Sequence, residues 1–254
     1  MSGRFVWYEL LTSDTAKSIA FYTDVVGWKT EPYGEGRDAY TMWTASQGPL
    51  GGVMTLPEEA KKMGAPPHWG SYVEVDDVDA STEKAKSLGA KVLFGPHDIP
   101  KIGRFTLIAD PQGATISIFK PLEAMKPHDT TKPGEVSWNE LYANDHTTAF
   151  KFYSQLFGWQ QISEMDMGPA GKYLIYGQGD KQYGGMMTLR PEMNSPPAWA
   201  YYFNVVDLEK AIDKAKARDA KVMIGPMDVP GGTRVAMLTD PQGAVFALHE
   251  PKKG

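Results

Sequence analysis

The chain has 254 residues, with 26 basic and 31 acidic side chains, a formal charge of −5 and no cysteine. The length allows one large or two ordinary domains, and the absence of cysteine excludes disulfides, thiolate metal sites and a cysteine nucleophile. The acidic balance argues against a nucleic-acid-binding protein, and no apolar run approaches the about 20 residues that a membrane span needs. We therefore expect a cytoplasmic protein whose partner is neither a nucleic acid nor a membrane.

The first half of the chain alternates strand and helix signals in a repeating order. A strand over 4–11 leads to Asp14, which is a typical helix N-cap, and the helix that follows ends at Gly27. Three strand-like runs come next, and a second unit of the same kind begins at His68. Each unit therefore has the order β-α-β-β-β. The sequence Asp-Pro-Gln-Gly at 110–113 predicts the turn of a closing hairpin.

The second half of the chain repeats the first. Residues 7–28 match residues 138–159 at an offset of 131, with eight identical positions. Residues 95–121 match residues 225–251 at an offset of 130, with 11 of 27 positions identical. This period is too long for the repeat of a solenoid protein, which has about 20–50 residues. The pattern indicates duplication of one ancestral domain.

The segment between the two copies has the composition of an exposed linker. It contains prolines, a Thr pair and a Gly, and it shows no apolar periodicity. The sequence therefore predicts two tandem domains, at residues 1–121 and 135–254, that are joined by a linker at residues 122–134.

The order of these motifs resembles that of the vicinal oxygen chelate superfamily. Its members include glyoxalase I, bleomycin-resistance proteins and extradiol dioxygenases. The resemblance is carried by a helix with Phe-Tyr that ends in Gly-Trp, by the helix start at 75–77 and by the Asp-Pro-Gln-Gly-Ala hairpin. More closely, the chain is similar to the tandem glyoxalase-like subgroup. The resemblance implies an α+β fold of four βαβββ modules, which form two tandem curved eight-stranded sheets with helices outside and a ligand site on each concave face.

Metal-dependent members of this family bind a divalent metal through four ligands, mostly His and Glu, on the first and last strands of the modules. The corresponding positions in the first half are Trp7, residues 51–54, Gly70 and Ser117, and the second half is equally poor in ligands. Divalent metals need imidazole or carboxylate ligands where there is no thiolate. We therefore expect no family-type metal site and no other cofactor, and no metal-based glyoxalase or dioxygenase mechanism.

Strand alternation predicts which side chains line the concave faces. The predicted ligand-binding residues are Trp7, Met54, Tyr72, Glu74, Ser117 and Phe119 in the first half, and Trp138, Tyr142, Met187, Tyr202, Asn204 and His249 in the second. Glu9 and Glu140 are the candidate catalytic residues. Such faces suit a flat or apolar small molecule with a cationic or hydrogen-donating group. Alternatively, the tryptophans only fill the space of a lost metal, and the two glutamates only accept hydrogen bonds from neighbouring indole or hydroxyl groups.

Four further residues are candidates with less support from the sequence. Arg104 and Arg234 match across the two halves and are expected on surface strands, with pairing to the two glutamates or to an anionic ligand as the alternative. Trp43 and Tyr176 are expected in the walls of the concave faces.

Three functions fit this sequence. The first is a metal-free small-molecule-binding protein of the sequestration or resistance type, which needs only a shaped apolar face and a few polar anchors. The second is a lyase or isomerase of glyoxalase type, in which Glu9 or Glu140 removes a proton next to a carbonyl group. The third is a module without a ligand. We favour the first, with an aromatic or cationic small molecule as the partner, in a monomer built as an internal pseudo-dimer or in a homodimer.

Overall fold

The computed structural model describes residues 3–34 and 40–252. In the first half the elements are β1 (Phe5–Thr12), α1 (Thr15–Val25), β2 (Lys29–Tyr33), β3 (Tyr40–Ala45), β4 (Gly48–Thr55), α2 (Glu58–Lys62), β5 (His68–Glu74), α3 (Val78–Ser87), β6 (Lys91–Ile99), β7 (Gly103–Ala109) and β8 (Thr115–Pro121).

The second half repeats this order, with short 3₁₀ turns at Gly168–Ala170 and Pro191–Met193. Its elements are β9 (Val136–Ala143), α4 (His146–Phe157), β10 (Gln160–Asp166), β11 (Lys172–Gln178), β12 (Lys181–Thr188), β13 (Ala198–Asn204), α5 (Leu208–Lys216), β14 (Lys221–Val229), β15 (Thr233–Thr239) and β16 (Val245–Glu250).

Each half forms one mixed eight-stranded sheet, and the two sheets have the same topology. The strand order is β2-β3-β4-β1-β5-β8-β7-β6 in the first and β10-β11-β12-β9-β13-β16-β15-β14 in the second. Strand β1 is parallel to β4, and β5 is parallel to β8, whereas the hairpin pairs are antiparallel. The predicted α+β fold of four βαβββ modules in two tandem sheets is confirmed.

Four helices begin at an aspartate that caps their first turn. The side chains of Asp14, Asp77, Asp145 and Asp207 accept hydrogen bonds from the backbone N–H groups of α1, α3, α4 and α5, respectively. Each aspartate thus satisfies N–H groups that have no partner within the helix. No helix in residues 3–34 and 40–252 is long and apolar enough to cross a membrane.

Two compact units are present, and each combines segments from both halves. The first compact unit contains residues 3–6, 70–127 and 138–199, and the second compact unit contains residues 7–34, 40–69, 128–137 and 200–252. The sheets follow the two halves of the sequence, whereas the compact units do not. The domain boundaries expected from the repeat therefore stay a prediction.

The core of the second compact unit is an aromatic cluster. The ring of Tyr22 is stacked on Trp28 at 5.8 Å and packs edge-on against Trp69 at 5.1 Å, and Phe203 lies 4.8 Å from Trp28. Trp43 is fully buried in this cluster. Its expected position in a concave wall is wrong, because the ring of Trp43 packs against Tyr22 and Trp28 inside this core and has no exposed surface.

The core of the first compact unit repeats this arrangement with the equivalent residues. Tyr153 is stacked on Trp159 at 5.6 Å and packs edge-on against Trp199 at 5.3 Å. Tyr176 lies 4.6 Å from Trp159 and is fully buried. Tyr176 is therefore a core residue, and its expected wall position is also wrong.

A buried tyrosine in each core connects the two halves of the sequence. The Tyr22 hydroxyl donates to Oδ2 of Asp240 (3.1 Å) and accepts from the Trp69 indole N–H (2.9 Å). Tyr153 makes the equivalent bonds to Asp110 (2.9 Å) and Trp199 (3.2 Å). Both aspartates belong to the Asp-Pro-Gln-Gly turns, so these turns bind the helix of the other half.

Replacing Tyr153 with Phe tests this connection. The substitution leaves a buried carboxylate and a buried indole N–H with one partner fewer, so we expect the free energy of unfolding to fall by about 1–3 kcal/mol. Urea denaturation measures the change. The control is Tyr33→Phe at an exposed position, for which we expect less than about 0.5 kcal/mol. Equal losses for the two variants would contradict the role of the Tyr153 hydroxyl.

Candidate functional site

Three side chains on the first sheet form a hydrogen-bonded chain, which we call the Glu9 cluster: Trp7, Glu9 and Tyr40. The Trp7 indole N–H donates to the Tyr40 hydroxyl (3.0 Å), which in turn donates to Oε2 of Glu9 (2.7 Å). Strands β1 and β3 supply these residues, and both lie beside β4, where Gly52 is opposite Glu9. A Cβ atom at Gly52 would overlap the Tyr40 hydroxyl, so the glycine makes room for this ring.

The carboxyl group of Glu9 is buried, with only 6% of the residue exposed. Burial raises its pKa to about 8, although the nearby Tyr40 hydroxyl and Trp7 indole act in the opposite direction. The carboxyl group is therefore mainly neutral at pH 7. Oε2 accepts from Tyr40, whereas Oε1 is buried and has no hydrogen-bond partner among the residues that the structure describes.

The second sheet carries the counterpart, the Glu140 cluster: Trp138, Glu140, Tyr142 and Tyr173. The Trp138 indole N–H donates to the Tyr173 hydroxyl (2.7 Å), and Tyr173 is hydrogen-bonded to Glu140. The Tyr142 hydroxyl also donates to Oε2 of Glu140 (2.8 Å). Burial, together with the charge of Glu140, holds the pKa of Tyr173 well above its usual range. This carboxyl group thus has two tyrosine neighbours.

The two predicted methionines lie on the strands that pair with β1 and β9. Met54 lies opposite Leu11 in the pairing of β1 and β4, and 39% of it is exposed. Met187 lies opposite both Tyr142 and Tyr173 and is half-buried. Their flexible thioethers provide soft apolar surface beside the polar groups.

The first compact unit also contains the predicted residues of β5 and β8. Tyr72 pairs with Ser117, and Glu74 pairs with Phe119, so each pair shares a face. The Tyr72 ring packs edge-on against Phe119 at 5.7 Å. Glu74 forms an ion pair with Arg4 (2.8 Å). Ser117 and Phe119 are buried, while Tyr72 and Glu74 are half-buried.

In the second compact unit, His249 and Asn204 form a polar group with a residue that the sequence did not indicate. The Nδ1 atom of His249 lies 2.7 Å from Oδ1 of Asn204 and 2.9 Å from Oγ of Ser137. The amide of Asn204 also donates to the carbonyl oxygens of Thr130 and Lys132. Asn204 thus holds the segment between the halves, and burial lowers the pKa of His249. Tyr202 is buried beside this group.

Sequence reasoning missed the two tyrosines that contact the glutamates. Tyr40 is 31 residues from Glu9, and Tyr173 is 33 residues from Glu140. The one available signal was that both halves place a tyrosine on the second strand after the first helix. A glycine opposite each glutamate, Gly52 or Gly185, would have strengthened it.

The donor atoms at the positions that the resemblance assigns to metal ligands do not fit a divalent metal. These positions hold the indole of Trp7, the glycines at 51–52, Gly70 and the hydroxyl of Ser117, and none of these supplies an imidazole or carboxylate. Within residues 3–34 and 40–252, no three His, Asp or Glu side chains converge as a metal site would require.

The two matched arginines lie on the surface, as expected. Arg104 forms ion pairs with Asp79 and Asp98, both at 2.9 Å, and Arg234 pairs with Glu209 at 2.7 Å. An open depression of about 400 Å³ elsewhere is lined by Asn144, Leu189, Arg190, Pro191, Asn194, Ser195 and Pro196. None of the predicted site residues lines it, so we do not place the functional site there.

Comparison with protein families gives a match in each half. The model of the Glyoxalase/Bleomycin resistance protein/Dioxygenase superfamily matches residues 4–118 and 135–248. A Mycobacterium tuberculosis protein named "Putative glyoxylase CFP32" is 32% identical over 247 residues, which are 96% of this chain and 94% of that protein. The Streptomyces peucetius protein named "Anthracycline biosynthesis protein DnrV" is 28% identical over 264 residues, with 99% and 94% covered.

Similar solved structures come from two kinds of enzyme. The Mn(II)-bound glyoxalase from Novosphingobium aromaticivorans has a TM-score of 0.67 at 15% identity, and the alignment covers 99% of this chain and 83% of that one. Homoprotocatechuate 2,3-dioxygenase from Brevibacterium fuscum has a TM-score of 0.69 at 15% identity, with 99% and 81% covered. At this identity the likeness concerns the fold alone.

The raised pKa of Glu9 predicts a pH dependence of stability. The folded protein retains a proton on Glu9 up to about pH 8, whereas an unfolded glutamate loses it near pH 4.5. The folded state binds more protons between these values, so the contribution of Glu9 to stability falls as the pH rises from about 5 to 8. The slope is on the order of 1 kcal/mol per pH unit.

Urea denaturation of the parent protein and Glu9→Gln measures this effect. We expect the free energy of unfolding of the parent protein to fall relative to that of Glu9→Gln between pH 5 and 8. The difference should level off above pH 8. Tyr40→Phe is the control, since removing its hydrogen bond raises the pKa of Glu9 and extends the change to higher pH. A difference that stays constant from pH 5 to 8 would show that Glu9 is ionised throughout.

Proposed function

Because the chain belongs to the glyoxalase/bleomycin resistance/dioxygenase superfamily, we propose that it is a small-molecule-binding protein that works without the family's metal ion. This membership confirms the resemblance inferred from the sequence. The observation that carries the proposal is the Glu9 cluster, in which indole and phenol rings adjoin a buried, mainly neutral carboxyl group. The proposed role is sequestration or resistance.

The chemistry of the cluster favours a flat aromatic ligand. Tryptophan and tyrosine rings offer large apolar surfaces and polar edges, and such sites fix a ligand with a few placed polar groups. Trp7 and Tyr40 are half-buried, so part of each remains exposed. A relative is named for anthracycline biosynthesis, and an anthracycline is a flat fused-ring compound. This name supports an aromatic ligand over an aliphatic one.

The residues at the metal positions also favour binding over metal-assisted catalysis. Indole, glycine and serine cannot supply the ligand set that a divalent cation needs. We therefore derive no reaction step through a metal. Sequestration requires only a complementary surface and a polar anchor, and the Glu9 cluster offers both. An aromatic or cationic small molecule, bound by a cytoplasmic monomer or homodimer, is the partner that we propose.

A lyase or isomerase of glyoxalase type is the second candidate function. The observation that favours it is the pKa of Glu9, about 8, which lies within reach of neutral pH. A general base with such a pKa removes protons efficiently once it is ionised. In this alternative Glu9 or Glu140 takes the proton from the carbon next to the carbonyl group of the substrate.

The binding proposal predicts a thermal shift with flat aromatic compounds, including an anthracycline. A ligand at 100 times its dissociation constant adds about 2.7 kcal/mol, which corresponds to about 5–10 °C in a chain of this size. We expect Trp7→Ala to reduce this shift. The control is Met63→Ala at an exposed position on the surface, and it should bind as the parent protein does. The absence of a shift across the aromatic set would reject the proposal.

The catalytic alternative predicts turnover of the thiol adduct of a 2-oxoaldehyde. The rate should rise as the pH passes through about 8, because Glu9 must be ionised to act as a base. We expect the double variant Glu9→Gln/Glu140→Gln to lose at least about 100-fold in rate. Loss of protons from the substrate carbon can be followed by exchange in D₂O. Turnover that survives the double substitution would exclude both glutamates as the base.

A further inference from the structure

His249, Asn204 and Ser137 form a hydrogen-bonded group that the proposed function does not use, and all three belong to the second compact unit. The amide nitrogen of Asn204 donates to the carbonyl oxygens of Thr130 (2.7 Å) and Lys132 (3.1 Å), which can only accept. The amide oxygen of Asn204 therefore faces Nδ1 of His249, at 2.7 Å. The two carbonyl groups thus fix the direction of the Asn204 side chain.

This arrangement also fixes the tautomer of the His249 ring. An amide oxygen has no proton to donate, so Nδ1 of His249 carries the hydrogen of its contact with Asn204. The Ser137 hydroxyl donates to the carbonyl oxygen of Tyr202 (3.3 Å), and its oxygen lies 2.9 Å from the same Nδ1, as an acceptor. Burial lowers the pKa of His249, so the ring is neutral at pH 7. Nε2 is then the nitrogen with a free lone pair.

The Nε2 atom of His249 is open to solvent. His249 is half-buried. Its Nε2 has no hydrogen-bond partner in residues 3–34 and 40–252, and it is not among the buried polar atoms that lack one. The first half has no equivalent group, because Phe119 occupies the position of His249. The second half therefore presents an accessible acceptor whose orientation and tautomer are both fixed.

An apolar row lies beside this acceptor on the same face of the sheet. Val235 of β15 pairs with His249, and Met227 of β14 pairs with Val235, so the three side chains are neighbours. Val235 is half-buried, and 45% of Met227 is exposed. The row thus offers accessible apolar surface that ends at a hydrogen-bond acceptor.

We propose that the apolar row and Nε2 of His249 bind a phenolic compound, whose aromatic ring rests on Val235 and Met227 and whose O–H group donates to Nε2. The inference goes beyond the function proposed for the Glu9 cluster, because it concerns a separate group of residues and a ligand that donates a hydrogen bond. Asn204 is a positioning residue in this site, since it holds the imidazole in the tautomer that accepts.

A phenol suits this site better than a carbonyl compound or a cation does. A carbonyl oxygen is itself an acceptor, so it would face the lone pair of Nε2 without a proton between them. An ammonium group would have to leave water for an apolar row, which costs free energy. A phenol combines a neutral donor with a flat apolar ring, and it therefore matches both parts of the site.

The ¹⁵N resonances of the imidazole ring test this site directly, because they report on the two nitrogen atoms of His249 themselves. The probes are 2-naphthol and 2-methoxynaphthalene, which share one ring system and differ in the O–H donor. At pH 7.5 we expect the Nδ1–H tautomer of His249 and a saturable shift of its Nε2 resonance with 2-naphthol. 2-Methoxynaphthalene should bind there about tenfold more weakly, because it leaves Nε2 without a donor.

Two variants separate the polar and apolar contributions. His249→Phe copies the first half, and it should bring the affinities of the two probes within about twofold of each other, as followed by the methyl resonance of Met227. Met227→Ala shortens an exposed apolar side chain, so we expect both probes to bind about threefold more weakly with their ratio unchanged. Its matched control is Met63→Ala, an exposed methionine outside the row, which should bind as the parent protein does.

Circular dichroism checks that each variant is folded. His249→Phe also assigns the ¹⁵N resonances, since those of His249 are the ones that it removes. If His249→Phe does not fold, the tautomer in the parent protein and the two probes on Met227→Ala decide the matter.

Each outcome has one meaning. The Nδ1–H tautomer, with a response of Nε2 to 2-naphthol that 2-methoxynaphthalene does not reproduce, supports the inference. A neutral ring with its proton on Nε2 overturns it, and so does equal affinity of this site for the two probes. No response of His249 to 2-naphthol at millimolar concentration also overturns it. The function of the Glu9 cluster is decided separately, by the thermal shift that Trp7→Ala should reduce.

Discussion

Two buried aspartates that bind tyrosine hydroxyl groups are the interaction on which the rest of this structure depends. In each Asp-Pro-Gln-Gly turn one carboxylate oxygen accepts backbone N–H groups of the turn, and the other accepts the hydroxyl of a tyrosine from the other half of the sequence. A buried carboxylate is tolerated only when its oxygens are satisfied. Asp110 and Asp240 therefore need Tyr153 and Tyr22, and neither half provides both partners of one pair.

This requirement explains why the duplicated motifs stayed alike while the sheet faces diverged. The Phe-Tyr pairs of the helices and the aspartates of the turns meet inside the compact units, where a change in one leaves the other unsatisfied. The Glu9 and Glu140 clusters lie outside these aromatic cores. The difference between Leu11 of β1 and Tyr142 of β9 changes the hydrogen bonding of the nearby glutamate and leaves the cores intact. One fold thus carries two clusters with different polar chemistry.

Much of the fold could be predicted from the sequence, because its signals are local. The side chain of Asp14 accepts a hydrogen bond from the N–H of Lys17, three residues on, and the Asp-Pro-Gln-Gly turns join neighbouring strands, so the order of the elements follows from the sequence. The two eight-stranded sheets were implied by the family resemblance. The grouping into compact units could not be predicted, since the contact between Tyr153 and Asp110 spans 43 residues and two modules. For the same reason Tyr40 was missed as the partner of Glu9. Trp43 was expected in a concave wall, but it packs inside the aromatic core of the second compact unit.

Gly52 makes room for a neighbouring side chain, a role that the sequence alone does not show. From the sequence it is a place where a family metal ligand is absent. In the structure, a side chain at Gly52 would displace Tyr40, whose hydroxyl group binds Glu9. The absence of a ligand and the presence of the tyrosine are thus one change in physical terms.

The second half shows that the cost of burying the acid can be reduced within this same frame. Tyr142 adds a donor next to Glu140, and a tyrosine in place of Leu11 would do so for Glu9. The backbone of β1 has the same pairing as that of β9, so nothing in the strand register prevents this substitution. With leucine at this position, Glu9 has one buried oxygen without a hydrogen-bond partner among the described residues, and the cost of burying it is offset by the rest of the fold.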